Sequence, residues 1–108
     1  MVKWLNDTGL EELLSQPGVV AVAFLDESEK SSRAFLEQFK AVEQEFYGII
    51  KCFAISAIDN PPVKLEHRIY CIPTTTLFRD GNELAKYEVP YPSKMLCEKM
   101  IAAIKEKR

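Results

Sequence analysis

The chain reads as an α/β domain, a central mixed sheet layered between helices on both faces, in the order β-α-β-α-β-α-β-β-α. Three observations predict it. Residues 19–25, Val-Val-Ala-Val-Ala-Phe-Leu, are continuously apolar and bounded by turn signals, as in a strand buried on both faces. Phe35, Phe39, Val42 and Phe46 recur at the spacing of one stripe on an amphipathic helix. Thr74-Thr75-Thr76-Leu77-Phe78 is β-branched and aromatic, and it runs into Asp80-Gly81, a two-residue hairpin signal. Right-handed β-α-β crossovers place helices on both faces, and the final hairpin adds an antiparallel edge.

Each element follows from local chemistry. Residues 2–6 are short and half apolar, a first edge strand. Thr8 and Glu11 have capping-box spacing, and Leu10, Leu13 and Leu14 supply an apolar helical face. Gln16-Pro17-Gly18 stops that helix before the strand at 19–25. The polar break over 26–33 opens the long helix, with one of its serines expected as N-cap and Gly48 as the stop. A second buried strand is expected over 49–56, with Cys52 inside it. After the loop Asp59-Asn60-Pro61-Pro62, residues 63–70 allow two helical turns, with Pro62 suited to the first position. Pro73 heads the next strand, where a missing N–H is tolerated. Its hairpin partner is expected over 84–89, ending at Pro90. Ser93 then caps a last helix whose apolar row is Leu96, Met100 and Ala103, flanked by Cys97, Ile101 and Ile104. Lys105, Lys107 and Arg108 suit the negative end of its dipole.

Composition narrows the function classes. A chain of 108 residues is one domain, with no linker, repeat or low-complexity stretch. A formal charge of −2, with acids and bases mixed, points away from nucleic acid. No apolar run approaches the roughly 20 residues that span a bilayer, and no secretory leader is visible. Three scattered cysteines argue against a disulfide framework and for a reducing, cytoplasmic setting. One His with those cysteines makes no zinc site, no phosphate-binding glycine pattern occurs, and no cofactor is implied. Ser28, Ser31 and Ser32 lack a His–Asp pair, so a serine hydrolase is not the expected chemistry. Cys52 and Cys97 read as buried small hydrophobes, and His67 as a surface residue.

The buried strand running into a polar turn and a long helix, and Ile72-Pro73-Thr74 before a strand and Asp80-Gly81, together resemble the thioredoxin family over essentially the whole chain. The resemblance implies a thioredoxin-like fold. It also implies a cis peptide before Pro73, facing the place where family members carry Cys-x-x-Cys. Here that place is empty of sulfur. One register puts the two positions at Glu29 and Ser32, and a shift of one residue puts them at Ser28 and Ser31. The family's tryptophan before the motif is absent too, its buried acid falls at Ala23, and a glycine near Val89 is missing. Disulfide exchange needs an attacking thiolate and a resolving thiol. A serine hydroxyl is not ionised at neutral pH without a base, and a glutamate cannot take that role.

The expected function is therefore a redox-inactive protein-binding module, an adaptor or assembly chaperone. It would dock an extended segment of a partner protein against Glu27, Ser28, Glu29, Lys30, Ser31, Ser32, Ile72 and Pro73. The second expectation is a monothiol redox enzyme or sensor using Cys71, which directly precedes Ile72-Pro73, with Lys30 and Arg33 favouring its thiolate. A disulfide-linked homodimer through Cys71 belongs to that reading. A third is stabilisation of a larger complex through an unrelated surface.

Overall fold

Side chains of β2 (Val19–Leu25) leave the sheet alternately on its two faces, and all from Val20 to Leu25 are buried. A computed structural model describes residues 1–106. The remaining strands are β1 (Lys3–Leu5), β3 (Lys51–Ser56), β4 (Thr74–Arg79) and β5 (Asn82–Tyr87). The helices are α1 (Asp7–Leu14), α2 (Lys30–Glu45), α3 (Pro61–Glu66) and α4 (Ser93–Glu106). Ala21, Ala23 and Leu25 pack with Phe35, Phe39 and Val42 of α2 and with Leu96 and Met100 of α4. On the other face, Val20, Val22 and Phe24 pack with Leu10 of α1 and Val63 of α3. Two apolar cores thus sandwich one mixed sheet.

Across the sheet the strands stand in the order β1-β3-β2-β4-β5, which is not their order along the chain. β3 is parallel to both β1 and β2, β4 is antiparallel to β2, and β5 is antiparallel to β4. A helix is about 10 Å wide and strands lie only ~4.8 Å apart, so the α1 crossover leaves a gap that β3 fills.

Several boundaries differ from the sequence expectation, each for a local reason. Asn6, not Thr8, caps α1: its Oδ1 accepts from the Gly9 N–H at 2.8 Å. No serine caps α2, where Glu29 holds the N-cap position without a side-chain bond. β3 begins at Lys51, because the amides of Ile49 and Ile50 both donate to Phe46 O in the turn that leaves α2. α3 starts at Pro61 and stops at Glu66, short of the expected residue 70, and Arg68 beyond it adopts a left-handed backbone with φ 55°. β5 starts two residues earlier than expected, immediately after the Asp80-Gly81 turn, and a bulge at Leu77/Phe78 takes up the offset. Asp80 and Gly81 have φ of 51° and 82°, the double left-handed geometry of a tight hairpin. Ser93 is the first residue of α4 and not its cap, and its amide is taken by Gln38 Oε1 of α2 at 2.9 Å. Lys107 and Arg108 lie outside the described residues, so the basic helix end is seen only at Lys105.

Candidate functional site

The sheet's directions bring five strand ends to one rim, the carboxyl end of β1 at its far side. The carboxyl ends of β3, β2 and β5 and the amino end of β4 lie side by side there. Loops beyond the carboxyl ends of strands are where open α/β sheets form their binding crevices. Phe24 pairs with Thr74, so continuing that register sets Pro73 and Ile72 level with Leu25 and Asp26. The polar turn before α2 and the proline loop before β4 are therefore neighbours.

Asp26 organises the turn. Its Oδ1 accepts from the Ser28 amide at 3.0 Å and from the Ser28 hydroxyl at 2.7 Å. Its carbonyl accepts from the Glu29 amide at 2.9 Å, and its own amide donates to Ser32 Oγ at 3.0 Å. Arg33 Nη1 closes the outside by donating to the Glu27 carbonyl at 2.8 Å. Glu27, Ser28, Glu29, Lys30 and Ser31 remain exposed. Ser32 does not: it is 1% exposed and spent on Asp26, so it lies beneath the surface where a docking residue was expected.

On the facing loop the Ile72–Pro73 peptide is cis. Pro73 is buried, so it shapes the loop from below instead of offering a contact, and Ile72 is half-buried against the α1–α3 core. Thr74 Oγ1 donates to the Cys71 carbonyl at 2.6 Å and pins the loop to the start of β4. Cys71 is exposed, and its Sγ lies 3.6 Å from Thr74 Oγ1, 3.6 Å from Glu88 O and 3.7 Å from Glu88 Oε2. These are acceptors, whereas cationic neighbours were expected. Neither Lys30 nor Arg33 is among the partners of this thiol, and Arg33 is engaged at the Glu27 carbonyl.

The structure adds residues that the sequence reading passed over. Ile58, Tyr70 and Val89 are 54%, 80% and 53% exposed at the same rim. Ile58 follows the end of β3, Tyr70 precedes Cys71, and Val89 follows Glu88, whose carbonyl is in contact with the Cys71 sulfur. Ile58 follows its strand as an apolar loop residue, whereas Tyr70 and Val89 are the last residues of an expected helix and an expected strand that end earlier, at Glu66 and Tyr87.

The other thiols sit apart from this rim. Burial pushes the Cys52 thiol up to about 12, with Glu43 and Cys97 adding to it. Cys97 is raised as well, chiefly by burial and then by Glu45 and Glu98. Both match the inert, buried type. His67 is half-buried and not fully on the surface: its ring packs 5.9 Å from Phe24 and 5.7 Å from Phe78, and burial lowers its pKa. No imidazole is therefore bonded to a serine of the turn, and the Ser28–Asp26 contact alone does not make a nucleophile. Among the described residues no group of His, Cys, Asp and Glu could hold a metal ion, and no helix is long and apolar enough to cross a membrane. Comparison with known proteins adds no name: no family model matches the chain, and no curated protein does.

Proposed function

We propose that this chain is a thioredoxin-like, redox-inactive module that binds an extended segment of another protein, as an adaptor or assembly chaperone does. The observation that carries the proposal is the rim itself. An accessible polar turn without a cysteine lies beside a proline loop, and exposed Ile58, Tyr70 and Val89 stand along it. Exposed apolar side chains along one rim of a sheet are a mark of a contact surface. Backbone at the loop would supply main-chain bonds and the apolar side chains would supply pockets. A reducing, cytoplasmic setting belongs to the same reading.

Panning the chain against random dodecamer peptides displayed on phage tests this. Clones should enrich on the native chain and lose binding to an Ile58→Ser/Tyr70→Ser/Val89→Ser variant, whose changes leave both cores untouched. Clones that bind both equally would move docking to another surface.

One observation favours a second reading: Cys71 alone of the three cysteines is exposed. A monothiol enzyme or sensor, or a disulfide-linked dimer, would use it. Dithiothreitol-driven insulin reduction that vanishes in Cys71→Ser would establish the enzyme, and a rate at the reagent background would remove it.

A further inference from the structure

Resting on the docking reading above, we propose that the rim selects a cationic segment, one that sets apolar side chains beside lysine or arginine. The apolar part of the surface is a stripe. Ile58 stands beyond β3, Ile72 beside the end of β2 and Val89 beyond β5, with Tyr70 at the outer side of the proline loop. Three strand spacings separate β3 from β5, about 14 Å, which an extended chain crosses in about four residues.

Charge along that stripe is acidic on balance. Glu27 and Glu29 flank it on the turn, Glu88 at the end of β5 and Asp59 beside Ile58, and all four are exposed. Met1–Glu43, Lys40–Glu37 and Lys86–Glu83 form ion pairs, and none of these three reaches the rim. Lys30 and Arg33, both exposed, are the counter-charges within the turn, and Arg33 keeps its charge while it donates to the Glu27 carbonyl. Asp26, Glu27, Glu29, Asp59 and Glu88 thus border the apolar track against Lys30 and Arg33, which leaves an excess of acids among the described residues. A segment bearing carboxylates or phosphates would meet like charge there, and one bearing ammonium or guanidinium groups would meet its complement. Complementary charge of this kind sets partner choice and association rate more than the depth of binding.

The dodecamer clones enriched on the native chain decide it. Their sequences should hold an excess of Lys and Arg over the unselected library, next to apolar residues. Their synthetic peptides should bind a Glu27→Gln/Glu29→Gln/Glu88→Gln variant about tenfold more weakly, since three exposed pairs are lost. Raising salt should weaken native binding and leave the variant little changed. Clones without a basic excess, or with equal affinity for both proteins, would overturn the charge assignment while the docking site stood. No enriched clone at all would overturn the docking reading and this inference with it.

Discussion

Ser32 Oγ accepts a hydrogen bond from the Asp26 amide at 3.0 Å, which ties the first turn of α2 back to the end of β2. The bond is largely shielded, because Ser32 is 1% exposed. Ser32→Ala leaves that amide without its partner, and the expected cost is about 1–2 kcal/mol. Urea denaturation reads it as a lower midpoint at unchanged slope. A midpoint equal to that of the native chain would show that the turn holds without this bond.

Glu29 and Ser32 also give the thioredoxin likeness its sharpest test. A Glu29→Cys/Ser32→Cys variant places an attacking and a resolving thiol at a helix start, where the free amides favour a thiolate. Insulin reduction with dithiothreitol should then rise above the background shown by the native chain. A variant that folds and oxidises its new pair but reduces nothing would count against the likeness.

Stability should depend on His67 at mildly acidic pH. Burial lowers its pKa from 6.5, and Glu66 and Glu83 only partly offset that effect. The unfolded chain therefore takes up a proton at a higher pH than the native chain does. The contribution is complete above 6.5, and it is lost as pH falls from 6.5 through the lower native value. Comparing urea midpoints of the native chain and His67→Gln across that window should show a shallower slope in the variant. Parallel slopes would place the pH dependence on the carboxylates instead.

Gly81 and Gly48 share a φ of +82° but not their surroundings. A Cβ at Gly81 would run into the Leu14 carbonyl oxygen, whereas one at Gly48 meets nothing within 4 Å. Gly48→Ala should cost about 1 kcal/mol through its backbone alone, and Gly81→Ala clearly more. Thermal unfolding of the two variants side by side measures the difference. Equal losses would mean that the hairpin can back away from α1.

Much of the architecture is legible along the chain because it depends on local periodicity. Seven consecutive apolar residues in β2 require cover on both faces, and the phenylalanine stripe of α2 supplies it on one. Asp80-Gly81 marks its hairpin because few other pairs accept two positive φ values. Element ends were harder to read. The α1 cap fell to Asn6 and not Thr8 because both offer a suitable oxygen, and Gln38 reached across from α2 to take an amide of α4.

By itself, the sequence determined the α/β class, the two-faced burial of β2, and the absence of a cysteine from the turn before α2. Those follow from residue type and spacing. Tertiary structure alone decided which strand lies beside which, that Ser32 and Pro73 go inside, and that Cys71 faces Glu88 and not Lys30 or Arg33. It also decided that His67 packs against Phe24 and Phe78, and that Ile58, Tyr70 and Val89 share one rim. The physical reason is distance along the chain. Contacts between residues tens of positions apart are set by how the layers pack, and no local pattern encodes them.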